Sequence, residues 1–326
     1  MAVLVIALQS DLHADSVVHH LLAKGVKVVR FDPTVDSTLP TSLRVFSSPT
    51  FTAHLTFPSG HLAEEEITGI LCRFALECLA PDTGSTAVAQ FSASEWLAAV
   101  LGPLRWKTHK YWVNDPWAES RADCKLLQCR NAAEIGLTVP EWIVSTSYDE
   151  LIEFHAHHQL TVIKPLSDAP LARIGNEYFH QKDLATEEFS APYTAPFVPD
   201  VKFKHQSLGT PTFLQAQLAK QSDIRATVID NQVFAAAMPH EKGHGIDFRR
   251  EKTAVIPFEL PRKIGEKLIQ LVSELGLRFA SCDLVVDTDG RIHFLEANPS
   301  GNWLWTEFGA TLPISAAIAD ALVLAP

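Results

Sequence analysis

The sequence predicts an α/β protein that opens on a parallel sheet and ends in an antiparallel hairpin carrying its most chemical residues. Three observations carry that expectation. Residues 2–8 are an apolar, strand-like run. Asp15 to Lys24 then places Val17, Val18, Leu21 and Leu22 at helical spacing before Gly25, and Val26 to Phe31 is strand-like again. Strand, helix, strand in that order implies parallel pairing through a right-handed crossover. Near the C-terminus, Ser281 to Gly301 holds two runs rich in Val, Ile, Leu and Phe around Asp289-Gly290, a strong hairpin turn because both residues tolerate positive φ.

Composition narrows the classes. A chain of 326 residues is long for one core, so two or three domains are expected. It is 47% apolar and 20% charged, as soluble proteins are. A net charge of −11 argues against a general nucleic-acid binder, whose affinity comes from neutralising phosphates. No apolar run reaches the length of a membrane span. The first apolar run lacks a preceding basic region and is followed by Asp11, which reads as a first strand rather than a signal peptide. Five cysteines, with no C-x-x-C pair, read as reduced thiols in a cytoplasmic protein.

The remaining elements follow in order. Residues 43–57 alternate as strands with a turn at Pro58-Ser-Gly60, Ile67 to Arg73 is a strand, and 86–101 is helix-like. No G-x-G-x-x-G follows the first strand, so a dinucleotide site is unsupported. This α/β unit ends near Asp115. Asp115-Pro116 caps a short helix, and Ser120-x-x-Asp123 resembles a capping box opening a second one, with an apolar stripe of Ala122, Leu126, Cys129 and Ala133 and a stop at Gly136. Strand, helix and strand follow at 141–145, 147–157 and 160–163. Residues 167–210 are proline-rich, with strand-like pieces at 177–180 and 201–205, and read as a lid. A strand over 212–218, a hairpin of 224–229 with 233–238, a polar loop over 239–252, and a helix over 261–275 lead into the C-terminal hairpin. A loop bearing Trp303 and Trp305 and a helix over 313–324 close the chain.

Candidate chemistry sits at four places. In the C-terminal hairpin, a two-residue loop pairs Thr288 with Arg291, and counting back puts Asp283 opposite Glu296. Asn298 lies two residues on and shares that face. Opposed carboxylates repel, and a divalent cation removes the repulsion. Two carboxylates and an amide are the hard oxygen donors that Mg²⁺ takes. Charges on a wet hairpin face are the competing reading. Lys125 lies beside the stripe of its helix, where a snorkelling lysine is the alternative. Lys164-Pro165 ends a buried strand, where a gatekeeper is the alternative. Gln215 and Gln217 share one face of a strand that is followed by Asp223-x-Arg225. Together these supply cations for phosphate, a strand edge for a base, an arginine for a transferring phosphoryl group, and metal ligands. There is no Walker A pattern. His240 and His244 lie in a glycine-bearing loop without a helix-borne Glu, and no zinc site is expected there or in the crowd of His155, His157 and His158.

Residues 112–135, Val162-Ile-Lys-Pro-Leu, Asp223-Ile-Arg-Ala-Thr-Val, Asp247-Phe-Arg-Arg and Phe294-Leu-Glu-Ala-Asn-Pro-Ser-Gly-Asn-Trp-Leu-Trp resemble an ATP-grasp ligase, and within that group the microviridin-type (graspetide) peptide macrocyclases. The resemblance covers nearly the whole chain. It implies an N-terminal α/β pre-ATP-grasp domain over 1–115 and an ATP-grasp domain over 116–326, with a central lid subdomain near 138–214 and a catalytic one near 215–326. It implies ATP and Mg²⁺, phosphorylation of Asp or Glu side chains of a ribosomal precursor peptide, and attack by a Ser or Thr hydroxyl or a Lys amine of the same peptide. By the same resemblance Lys125 and Lys164 contact ATP, and Gln215, Ala216, Gln217 and Leu218 face adenine. Asp283, Glu296 and Asn298 hold metal, and Arg225 steadies the acyl phosphate, with Arg249 as second choice. Asp223, Asp247 and Arg249 place the peptide. The chain departs from the pattern in its Gln-bearing hinge, a lid with only Gly175 and Gly209, and a single arginine at Cys72-Arg73-Phe74. The leader and core of the precursor are the expected partner, and a groove of lid aromatics (Tyr178, Phe179, Phe189, Tyr193, Phe197) is one place for the leader. A homodimer is the default oligomer. Two rivals remain: an amino-acid or peptide ligase of the glutamate-ligase or glutathione-synthetase type, and a peptide-binding scaffold without turnover.

Overall fold

The computed structural model describes residues 2–32, 42–47, 52–73, 87–105, 110–166, 172–174, 177–179, 194–200, 204–240 and 254–324. Strand β1 (Ala2–Ile6) is buried along its whole length, as an apolar run between two layers must be. Helix α1 (Leu12–Ala23) starts where the Asp11 carboxylate accepts from the His13 and Ala14 amides, and stops at Gly25, whose φ is +70°. After β2 (Lys27–Phe31), strands β3 (Ser42–Phe46), β4 (Thr52–Phe57) and β5 (Gly60–Ala63) form a separate antiparallel sheet. Strand β6 (Ile67–Cys72), helix α2 (Ala87–Leu104) and strand β7 (Tyr111–Val113) complete a sheet of order β2-β1-β6-β7, every pair parallel. The expected parallel pairing of β1 and β2 on either side of α1 is present. Alternate residues of β1 serve two cores: Val3 and Val5 on one face, Leu4 and Ile6 on the other.

Helix α3 (Pro116–Ala122) is capped by Asp115, which accepts from the Trp117 amide, as its sequence implies. Helix α4 (Lys125–Glu134) departs from expectation. Ser120 lies inside α3 and caps nothing, and α4 begins after Cys124 with no side-chain cap bond. The break at 123–124 re-phases the helix, so Gln128, Cys129 and Ala132 turn inward while Ala133 is exposed. Strand β8 (Trp142–Ser147), helix α5 (Tyr148–His158) and strand β9 (Thr161–Lys164) follow as read from the sequence. Strands β10 (Ala172–Ile174) and β11 (Glu177–Phe179) pair with each other. Strands β12 (Ala195–Pro196) and β13 (Ser207–Ala216) join a sheet of order β12-β9-β13-β8. No strand forms at Lys204-His205: both lie in a turn, and His205 has a left-handed φ of 60°.

The last sheet runs β16-β15-β14-β17-β18 and is antiparallel throughout. Its strands are β14 (Lys220–Ile229), β15 (Gln232–Pro239), β16 (Ile256–Pro257), β17 (Phe279–Asp287) and β18 (Ile292–Asn298). Helix α6 (Arg262–Glu274) covers one face, packing Leu268, Leu271 and Val272 over Ile224, Ala226, Leu284 and Phe294. Helices α7 (Leu304–Ala310) and α8 (Ile314–Leu324) follow. The expected loop at Trp303 and Trp305 is instead the start of α7. Trp303 is fully buried and donates its indole N–H to Ser315 Oγ at 2.9 Å. Among the described residues no single helix is long and apolar enough to cross a membrane. α7 and α8 together are apolar, but they meet at 119°, and α8 buries Ile314, Ile318 and Leu322 in the core against β1.

Candidate active site

The β17–β18 hairpin reaches the expected pairing by a different route. Its turn has three residues, not two: the Asp287 amide donates to Arg291 O at 2.9 Å, and Gly290 takes φ +80°. That shifts the ladder by one, to Val286↔Ile292 and Leu284↔Phe294. A bulge at Leu295 then shifts it back, and Asp283 faces Glu296 after all. Across the other edge of β17, Asp283 faces Arg225 of β14. Arg225, Asp283 and Glu296 therefore form one row on one face of three strands. Asn298 pairs with Ser281 one pleat further along and shares that face. The opposite face, through Ala226, Cys282 and Ala297, goes into the core under α6. Period-two alternation thus separates the polar row from the hydrophobic core.

The row borders a cavity of about 820 Å³, large enough for a nucleotide. Lys125 lines it from the first turn of α4, and Lys164 from the end of β9. Gln215 and Ala216 line it from the end of β13, and Gln217 and Leu218 from the chain just beyond. Asp223, Arg225, Asp283, Glu296 and Asn298 line it as well. Asp247 and Arg249 lie outside the described residues. So do Phe189 and Tyr193 of the lid, whereas Phe197 packs against Tyr148 and His155 of its own sheet layer.

The electrostatics are strongly coupled. Arg225 Nη1 donates to Asp283 Oδ1 at 2.6 Å, both side chains nearly excluded from water. Arg225 Nε is buried with no hydrogen-bond partner, so the guanidinium keeps an unused donor. Burial pulls the Lys164 pKa below its ordinary value, the Glu296 carboxylate pushes it back up, and Lys220 adds to the lowering. Asn298 Oδ1 accepts from the Ser300 amide at 3.1 Å, leaving that oxygen a second lone pair. Among the described residues no three His, Cys, Asp or Glu side chains converge as a metal cluster. The donor set here is instead two carboxylates in direct opposition plus an amide oxygen, which suits a cation that completes its shell with water and phosphate.

Three supports were not legible in the sequence. Gln128, buried in α4, donates to Ala297 O at 2.7 Å and to Ala122 O at 2.8 Å, and accepts from the Ala297 amide at 2.9 Å. It pairs with the outer edge of β18 as another strand would, fixing the residue between Glu296 and Asn298. Asn114 ties the end of β7 to β17, accepting from the Arg278 and Phe279 amides and donating to Phe279 O and Pro299 O. Arg73, at the end of β6, reaches Asp11 Oδ2 at 2.8 Å, Ser300 O and Asn302 Oδ1, and lies over the Trp303 ring. Asn302 and Trp305 line the cavity. Lys220 also lines it, and its only sequence signal is its place three residues before Asp223.

No family's sequence profile matches the chain, and no curated protein sequence does. Solved structures do match, over almost its whole length. The macrocyclase MdnC of Microcystis aeruginosa MRC, bound with precursor peptide MdnA, superposes with a TM-score of 0.75 at 23% identity, covering 99% of both chains. A RiPP-associated ATP-grasp ligase of Chryseobacterium gregarium, in complex with ADP and a leader and core peptide, gives 0.78 at 22% identity, covering 99% of this chain and 97% of that one. The chain has the ATP-grasp fold. PsnB, an ATP-grasp ligase complexed with a minimal precursor, Mg and ADP, gives 0.72 at 20% identity over 98% and 97%. In ATP-grasp terms the cavity lies between the β9–β13 sheet and the β14–β17–β18 sheet, with strands from both lining it.

Proposed function

We propose that this protein is an ATP-dependent ligase that cross-links a ribosomally made precursor peptide to itself. The γ-phosphoryl group of ATP passes to an Asp or Glu side chain of the peptide, giving an acyl phosphate and ADP. A Ser or Thr hydroxyl, or a Lys amine, of the same peptide attacks the acyl carbon. Phosphate leaves, the attacking group loses its proton, and each ester or amide formed costs the peptide one water.

The observation that carries this reading is the Arg225–Asp283–Glu296 row at the rim of a nucleotide-sized cavity that Lys125 and Lys164 also line. Asp283, Glu296 and Asn298 would hold Mg²⁺, which when bound neutralises phosphate charge. Lys125 and Lys164 hold phosphate oxygens as point charges. The segment from Gln215 to Leu218 offers backbone groups to adenine. Arg225 lines the same cavity, and its guanidinium would steady the charge that develops on the acyl phosphate. Asp223 belongs to the same wall, and Asp247 and Arg249 complete the peptide side of the reading. The structural neighbours crystallised with precursor peptides and with ADP support the choice of substrate class. A cytoplasmic location, with its reduced thiols, and a homodimer go with this reading.

Intermolecular ligation of an amino acid is the second reading. A RimK-domain ATP-grasp protein of Sphaerobacter thermophilus DSM 20745 shares the fold, at a TM-score of 0.52 and 16% identity. Mass spectrometry of the product separates the three cases. The cognate peptide with ATP should lose one water per bond formed. A gained residue mass would establish the second reading. No ADP and no mass change would leave only a peptide-binding scaffold.

A further inference from the structure

Asp223 uses both carboxylate oxygens inside the protein. Oδ1 accepts from Lys220 Nζ at 2.9 Å, and Oδ2 is 2.5 Å from His240 Nε2. All three side chains are nearly closed to solvent, at 12% for Lys220, 6% for Asp223 and 1% for His240. A lysine that is this buried needs a reason, because burial of a charge is costly unless it is paired. Asp223 supplies the pair. His240 in turn fixes the Asp223 carboxylate, so the ammonium is held in one place rather than swinging on four methylenes.

That place is the nucleotide cavity. Lys220 and Asp223 both line it, as does Lys164. Lys220 opens β14, two residues past Leu218, and lies close enough to Lys164 to help lower its pKa. Two ammonium groups brought near each other repel, and an anion between them removes the repulsion. Each already has one carboxylate near it: Asp223 for Lys220, and Glu296 for Lys164. What the two cations share is the open volume of the cavity.

We propose that Lys220 is a third ligand of the nucleotide's phosphate groups, alongside Lys125 and Lys164, and that Asp223 and His240 are its positioning couple. Asp223 then acts on the nucleotide through Lys220 rather than by placing the peptide. The assignment rests on the ligase reading, so its test includes the unaltered chain.

The experiment measures binding of Mg²⁺-ADP by calorimetry and of adenosine by ligand-observed NMR, on the full chain. Lys220→Met should weaken ADP about tenfold or more, the size of a lost charge-assisted bond, and leave adenosine unchanged. Asp223→Asn should weaken ADP several-fold with the same selectivity, and it carries the test where Lys220→Met fails to fold. His240→Gln, which keeps a donor toward Asp223, should lie closer to the unaltered protein than His240→Ala. Equal losses for ADP and adenosine, or none, would overturn the assignment. Failure of the unaltered chain to bind either ligand would overturn the nucleotide reading itself, and this assignment with it.

Discussion

Replacing Gln128 by Met tests whether α4 holds β18 in place. The two side chains have nearly the same volume, so the change removes polarity and leaves packing intact. Gln128 is 1% exposed, and its carboxamide makes three hydrogen bonds, two of them to the backbone of Ala297, itself 2% exposed. β18 is an edge strand, so nothing else in the sheet can take that N–H and C=O. The substitution leaves the Ala297 amide, the Ala297 carbonyl and the Ala122 carbonyl without their partner. Each buried group left unpaired costs about 1–3 kcal/mol. Allowing for partial relaxation, the loss should be about 3–5 kcal/mol, a large share of the 5–15 kcal/mol typical of a folded domain. Urea denaturation followed by tryptophan fluorescence and far-UV circular dichroism reads this as a lower midpoint. Mg²⁺-ADP affinity should fall as well, because Glu296 and Asn298 flank Ala297. A loss below about 1 kcal/mol, with ADP affinity unchanged, would refute the bracing role.

Two further outcomes follow from the same geometry. At Gly301 an added methyl would lie 2.5 Å from Ser281 Cβ and 3.0 Å from Arg225 Nη2. Gly301→Ala should therefore lower stability by about 1–3 kcal/mol and reduce turnover by displacing Arg225, and a wild-type melting temperature and rate would contradict this. Burial raises the Glu119 pKa from 4.5 to about 7, against hydrogen bonds from Asn114 and Ser300. Between those values the unfolded chain has lost a proton that the folded one keeps. Stability should fall as pH rises through that window, by roughly 3 kcal/mol in all, and level off above it. Glu119→Gln should flatten that part of the profile of urea midpoint against pH, and an unchanged slope would contradict the assignment.

Much of the fold was legible because it is local. Gly25, Gly136 and Gly276 end helices at positive φ where the sequence places them, and Asp115-Pro116 starts one. The parallel sheet follows from the β-α-β order. The register of the C-terminal hairpin was right in its outcome and wrong in its turn, since two offsets of one residue cancel at Leu295. A bulge leaves no signature when the run is apolar on both sides of it. The phase of α4 was misread because the break at 123–124 is set by packing, not by a cap. Gln128 was invisible for the opposite reason. A glutamine on a helix reads as surface, and only the edge of β18 explains its burial. His240 is remote from Asp223 in sequence and is brought to it by the pairing of β14 with β15, whereas Lys220 lies three residues before Asp223 on the same strand. Arg225, Asp283, Glu296 and Asn298, singled out in the sequence, line one cavity because the strands that carry them turn the same face toward it.

The central claim is that Asp283, Glu296 and Asn298 grip a magnesium nucleotide. The most direct measurement is calorimetric titration of ADP into the protein with and without Mg²⁺, for the unaltered chain and for Glu296→Gln. Mg²⁺ should tighten ADP binding in the unaltered protein. Glu296→Gln should lose most of that gain, keep its Mg²⁺-free affinity, and show an unchanged far-UV spectrum. The same dependence on Mg²⁺ in both proteins would mean that the row does not hold the metal.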